Sequence, residues 1–294
     1  MAVVAQSTTL PSGKIYATIP ANSGRAPDRD TILRELSELT RRGGITDRDE
    51  RILEYLRELH VLSLDQVHRL FWSGAKQITA YQRLHHLQKH HLLAAARVPR
   101  AGMQAWGLPV CKVYTLGEGG RLWLKDEVTG QRAAYLRRDQ VLHDLLVAEV
   151  VVRLAEAARG RGDGWSLAWS GEQAASFNER GGDVPLARPD GLAVVRQRRG
   201  DKVAAMPLFV ELDASREAHG RPSSDWGRKI IGYDRFYESE WQMHPELSNL
   251  PTFPVVAVVT HGDARLLNLA AAITEHRRDP VAYYLALWED LVAN

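Results

Sequence analysis

Residues 206–210, Met-Pro-Leu-Phe-Val, form an apolar run that ends in Glu211-Leu212-Asp213. A short apolar run of this kind reads as a buried strand. The alternation of a strand puts Glu211 and Asp213 on one face, two residues apart. Carboxylates seldom sit at the end of a buried strand unless they are paired or hold a metal. Any fold for this chain has to bury the run and still satisfy both acids, so this is where its chemistry is to be sought.

The chain has 294 residues, 45% of them hydrophobic and 25% charged. That is ordinary for a globular protein and leaves room for about two domains of roughly 100–200 residues each. No apolar run approaches the roughly 18 residues needed to span a bilayer. The first residues lack the basic-then-apolar pattern of a secretory signal. The single cysteine, Cys111, rules out an intramolecular disulfide and any multi-cysteine zinc site. A cytoplasmic protein without membrane contact is the expectation.

Net charge is only +2, but the charges are unevenly placed. No Asp or Glu occurs from Gln66 to Gly117, a span that holds Arg69, Lys76, Arg83, Lys89, Arg97, Arg100 and Lys112. A block of this kind suits a polyanionic partner. Residues 1–28 are rich in Ala, Ser, Thr, Pro and Gly and read as a flexible arm. A short helix is expected over 30–41. Thr46-Asp47-Arg48-Asp49 and Ser63-Leu64-Asp65-Gln66 carry helix-start chemistry, the second as a capping box.

A third helix is expected over 75–90. At about 100° per residue, Ala80, Tyr81, Leu84 and Leu87 fall on one arc, and Thr79, Gln82, Arg83, His86, Lys89 and His90 on the other, with Ile78 at the boundary. With Lys76 and Gln77 at its start, the polar face offers hydrogen-bonding and cationic side chains and no acid, as a helix in a DNA major groove requires. Strands are expected over 92–98 and 110–116, with Arg100 in the loop between them as a candidate for phosphate or minor-groove contact. Three helices followed by a β-hairpin is the winged-helix order.

The second half reads as helix 138–159, strands 165–169, 187–195 and 203–213, helix 225–239, strand 252–259 and helix 263–277. The aromatic content of 281–287 leans that last run towards strand. Helix, three strands, helix, strand, with Pro189-Asp190 near the second strand and Glu211 at the end of the third, resembles the restriction-endonuclease-like core. The fold class expected is therefore α+β: a winged helix-turn-helix domain at 29–135, then an αβββαβ restriction-endonuclease-like domain at 136–294.

In that superfamily Pro-Asp is followed by Asp or Glu, any residue, and Lys; here Asp213 stands in the place of the lysine. The narrower pattern Arg188-Pro189-Asp190-Gly191, Phe209-Val210-Glu211-Leu212-Asp213, then Lys229 and Tyr233 on the following helix, resembles the replication-relaxation proteins of plasmids and integrative elements. MOBC-class conjugative relaxases are related to them. The resemblance implies action in plasmid replication or transfer, with metal-dependent single-strand nicking at an origin. It further implies catalytic Asp190, Glu211, Asp213 and Lys229, and Mg²⁺ or Mn²⁺ held by Asp190, Glu211 and Asp213 with Glu149 as an additional acid. The partners expected are double-stranded DNA, other replication or transfer proteins, and a second copy of the chain.

Other readings of the same residues stay open. Glu211 and Asp213 could pair structurally with Arg228, Lys229 or Arg235. Tyr233 and Tyr237 could be nucleophiles, or core residues set by helical spacing with Ile230. A non-catalytic DNA-binding replication accessory, or a transcriptional regulator with a degenerate nuclease fold, is the alternative to an enzyme.

Overall fold

The computed structural model describes residues 28–98, 104, 106–108, 112–125, 140–178, 185–214, 225–278 and 280–293. The arm expected over 1–28 lies outside these residues save Asp28, and so does Arg100. The chain divides into two compact units, Met1–Leu145 and Leu146–Asn294.

In the first unit, α1 (Arg29–Arg41), α2 (Asp47–Leu59), β1 (Leu62–Ser63), α3 (Leu64–Phe71) and α4 (Gln77–Lys89) precede β2 (Leu93–Arg97), β3 (Lys112–Leu116) and α5 (Glu118–Leu124). Local chemistry sets the starts of α2 and α3. Thr46 and Asp49 form one reciprocal capping box and Ser63 and Gln66 another, each satisfying backbone donors that a helix N-terminus leaves unpaired. Ile52, Leu53 and Leu56 of α2, Val67 of α3 and Leu84 and Leu87 of α4 are buried together with Val113 of β3. The sheet runs β1–β3–β2, with both pairings antiparallel. The two-residue strand β1 is absent from the expected elements, because a pair of residues is too short to carry a periodic signal. Gly120 lets α5 pack closely on β2, since a Cβ there would stand 2.3 Å from the Leu92 carbonyl oxygen.

The second unit is built on a five-stranded sheet. Helix α6 (Val141–Gly160), within which the division falls, precedes β4 (Trp165–Gly171). The expected strand over 187–195 is two pieces: β6 (Pro185–Ala187), paired with β5 (Phe177–Asn178), and β7 (Gly191–Arg199). Pro189-Asp190 lies between them, where proline cannot supply a ladder hydrogen bond. Then come β8 (Lys202–Asp213), α7 (Asp225–Glu238), β9 (Val255–Thr260), α8 (Asp263–His276), β10 (Tyr283–Leu287) and α9 (Trp288–Ala293).

The sheet order is β10–β9–β8–β7–β4, antiparallel across β4, β7 and β8 and parallel across β8, β9 and β10. The parallel pairs need crossovers, which α7 and α8 provide. Both helices cover the same face, for Trp226, Ile230, Tyr233 and Phe236 of α7 and Leu269 and Ile273 of α8 share one core with Leu192, Val194, Phe209, Val256 and Val258. Phe209 packs centrally there, its ring 5.5 Å from Phe177 and 5.6 Å from Tyr233. The molecule is thus mixed α+β. Among the described residues no helix is long and apolar enough to cross a membrane.

Candidate catalytic site and nucleic-acid interface

Strand alternation decides where the acids go. Phe209 faces the core under α7 and α8, so Glu211 and Asp213, two and four residues on, face the same side. Asp190 precedes β7, and Gly191 pairs with Val210; the Asp190 backbone N–H donates to the Val210 carbonyl at 3.0 Å. The Asp190 carboxylate then accepts from the Leu212 N–H at 2.6 Å, which fixes it beside the end of β8. Gly191 is required at that crossing, because a Cβ would stand 2.2 Å from the Trp169 ring.

Glu211 is 1% exposed, and both of its oxygens are engaged from α7. Lys229 Nζ lies 2.8 Å from Oε2 and the Tyr233 hydroxyl donates to Oε1 at 2.7 Å. Lys229 and Tyr233 are one helical turn apart and so reach the same carboxylate. Burial pushes the Glu211 carboxyl up to about 7; the Lys229 charge opposes that rise and the Asp190 charge adds to it. Burial, with Glu211 beside it, likewise holds the Tyr233 phenol well above its ordinary range. Lys229 keeps 28% of its side chain exposed and lies 5.1 Å from the Trp226 ring centroid.

Asp213 belongs to a different set. Its carboxylate accepts from Arg265 Nε at 2.6 Å and Nη2 at 2.8 Å, and from the Thr260 hydroxyl at 2.9 Å. The register Asp213↔Thr260 puts the ends of β8 and β9 side by side, and Arg265 comes from the first turn of α8. The Arg fork on a fully buried carboxylate is a bidentate, charge-assisted arrangement. Arg228, a possible partner for these acids on sequence grounds, pairs with Asp225 instead. Glu149, buried on α6, is held by Arg153 at 3.0 Å, and Arg153 also donates to the Val292 carbonyl. Among the described residues no three acids or histidines gather as a metal-ligating group. The four-carboxylate set expected from sequence is therefore not assembled: Asp190, Glu211 and Lys229 come together, with Tyr233 added, while Asp213 and Glu149 are committed elsewhere.

In the first unit α4 turns differently from expectation. Ala80, Leu84 and Leu87 are buried, but Tyr81 is 38% exposed and Ile78 54%. Gln77, Thr79, Gln82, His85 and Lys89 are exposed as well, as is Lys76 at the helix N-cap. Arg83 lies on the flank. Its Nε donates to Asp49 Oδ1 at 2.8 Å, its Nη2 to the Gly44 carbonyl at 2.6 Å, and Nη2 also pairs with Asp49 Oδ2. Asp49 is fully buried and accepts in addition from the Thr46 N–H and hydroxyl at 2.7 and 2.6 Å. Arg83 thus ties α4 to the start of α2. His86 and His90 share its flank and line a cleft that also contains Glu35 and Glu38 of α1. Burial and the neighbouring Arg83 charge lower the His86 pKa.

The residues from 53 to 249 match a family model described as Replication-relaxation. The chain belongs to the replication-relaxation family. No curated protein and no solved structure matches it. Membership in the replication-relaxation family associates the chain with replication-related DNA processing. The matched stretch contains α4 and the Asp190, Glu211 and Lys229 group, and it ends before Thr260 and Arg265.

Sequence reasoning names Lys229, and the structure places its Nζ 2.8 Å from Glu211. Sequence reasoning misses Arg265 and Thr260. The usable signal is a threonine ending an apolar strand and an arginine in the first turn of the helix after it. Both are polar groups at the end of the sheet that already carries two acids.

Proposed function

We propose that this replication-relaxation protein binds duplex DNA through its first unit and cleaves one strand through its second, at an origin of a plasmid or integrative element. The first unit has the helix and strand order of a winged helix, with α4 as its reading helix. Counting the strands of its five-stranded sheet alone, the second has the order helix, three strands, helix, strand expected of a restriction-endonuclease-like core. The observation that carries the reading is the convergence of Asp190, Glu211 and Lys229, which brings two acids and a cation to the end of one buried strand although the lysine comes from the next helix.

The donor set fits a hard divalent cation. Asp190 and Glu211 supply oxygen ligands only, and Mg²⁺ is commonly bound by one or two carboxylates together with substrate phosphate. Asp190 and Glu211 would hold Mg²⁺ or Mn²⁺, and the ion would supply Lewis-acid stabilisation of the phosphoryl oxygens and activation of water. Asp213 is a poorer ligand than Glu211: Arg265 and Thr260 make three hydrogen bonds to its oxygens, against one on each Glu211 oxygen. Tyr233 fixes the Glu211 rotamer by its hydrogen bond. Lys229, part-exposed beside Glu211, offsets negative charge developing on the phosphoryl group. The cytoplasm, replication or transfer proteins as partners, and a homodimer belong to the same proposal.

The test is conversion of supercoiled plasmid to open circle by wild type and by Glu211→Gln, with Mg²⁺ or Mn²⁺ and with EDTA. The proposal expects metal-dependent nicking that the variant loses. A second reading rests on the complete burial of Glu211 and the occupation of both its oxygens: a non-catalytic DNA-binding replication accessory or regulator. Absence of nicking by a wild-type protein that binds duplex would favour that reading.

A further inference from the structure

Ile78 is a large apolar side chain, 54% exposed, at the second position of α4. At about 100° per residue, Ile78, Tyr81, Gln82, His85 and Lys89 share an arc of roughly 100°, so Ile78 is at the middle of the exposed face and not at its edge. Everything around it is polar, aromatic or cationic, and α4 contains no acid. Tyr81 is held in place: its ring is parallel to that of His85, with centroids 6.2 Å apart and planes within 2°, and Lys112 Nζ of β3 lies 5.1 Å from its centroid. The opposite flank, with Arg83, His86 and His90, faces the Glu35 and Glu38 carboxylates. With Lys76 and Lys89 exposed and no acid on the helix, the Ile78 face favours an approaching polyanion.

Within a major groove, the feature that rewards an apolar side chain is the thymine C5-methyl, and an adjacent glutamine matches the adenine N6 and N7 edge. Gln82 is one turn from Ile78, at the neighbour spacing of a helix. Base contacts of a reading helix come from its N-terminal residues, and Ile78 is among them. Resting on the reading of the first unit as a duplex binder, we infer that α4 reads A·T pairs through contact of Ile78 with a thymine methyl, with Gln82 on adenine and Tyr81 as a pre-set wall beside it. Arg83 has no part in the readout.

The full chain is used to select duplexes from a random-sequence library, and the selected duplex is remade with deoxyuridine for thymidine, which removes only the methyl groups. Wild type is expected to lose about fourfold in affinity per contacted methyl, the value of burying one such group. Ile78→Ala should bind thymidine and deoxyuridine duplexes alike, and its fold is safe because the side chain is exposed. Failure to bind any duplex would remove the duplex-binding reading itself. Selection of a duplex followed by equal binding with and without the methyl groups would overturn this inference alone, as would methyl discrimination that survives Ile78→Ala.

Discussion

Replacing Arg83 by methionine removes the guanidinium while keeping most of the apolar stem. Asp49, fully buried, then retains only the two hydrogen bonds from Thr46, and the Gly44 carbonyl loses its donor. Orphaning one member of a buried ion pair costs about 3–5 kcal/mol. Arg83 has 26% of its side chain exposed, and Thr46 still supports the carboxylate, so the loss should fall below that range, at about 2–3 kcal/mol. Hydrogen exchange on the full chain would show it as roughly 30- to 150-fold faster opening of α2 and α4, since about 1.4 kcal/mol is a tenfold change.

The effect has a defined pH dependence. Burial alone would raise the Asp49 pKa, but the hydrogen bonds from Arg83 and Thr46 outweigh it and the net value falls below the ordinary 3.8. An acid with a depressed folded pKa contributes stability that is present above its unfolded value and is lost as pH falls through the folded one. In wild type that loss begins only below about 3.8; without Arg83, burial favours the protonated acid, so the sign reverses and stability falls as pH rises through the Asp49 titration. A double-mutant cycle with Asp49→Asn should show coupling of about 2 kcal/mol. Exchange within threefold of wild type, or additive single effects, would refute the clamp.

Four further outcomes follow from the same geometry. Lys76→Ala with Lys89→Ala should reduce the salt slope of duplex binding by about 2, at roughly 0.9 for each phosphate no longer neutralised, whereas Arg83→Met, corrected for folded fraction, should leave the slope unchanged. Tyr233→Phe should cost about 1–2 kcal/mol in thermal stability by removing one hydrogen bond to a buried acid, and denaturing gels should show no covalent DNA adduct with wild type. Arg265→Met should destabilise the second unit by about 3 kcal/mol in denaturant melts, because Asp213 is left buried with Thr260 alone. The Glu211 pKa is raised from 4.5 to about 7. The folded state therefore disfavours its ionised form, and stability falls as pH rises through that window. Glu211→Gln should raise the melting midpoint at pH 8 and leave it unchanged near pH 4.5.

The parts of the fold that depend on neighbouring residues are legible in the sequence. The Thr46 and Ser63 helix starts, the three strands that lead to Asp213 and the helix that carries Lys229 follow from capping chemistry, apolar runs and turn residues. So does the shared face of Glu211 and Asp213, which requires only the two-residue alternation. What separates these two acids is not local. Asp213 meets Thr260 through the register of β8 with β9 and meets Arg265 across 52 residues of chain. Arg83 and Asp49 are likewise 34 residues apart, so an arginine that looks free on a helical wheel is held by an acid on another helix. The wheel puts Tyr81 in the apolar arc because it weighs residue type alone; the lysine of β3 that holds its ring in the open is a tertiary contact.

The central claim is that Asp190, Glu211 and Lys229 make one phosphodiester-cleaving site and that Asp213 stands outside it. Initial rates of plasmid nicking for Asp190→Asn and Asp213→Asn, measured side by side with Mn²⁺ and divided by the folded fraction of each, test it most directly. The account predicts that Asp190→Asn loses at least about a hundredfold, in the range of removing one electrostatic stabiliser from an active site, while Asp213→Asn stays within a few-fold of wild type per folded molecule. Equal rates for Asp190→Asn and wild type, or a loss confined to Asp213→Asn, would contradict it.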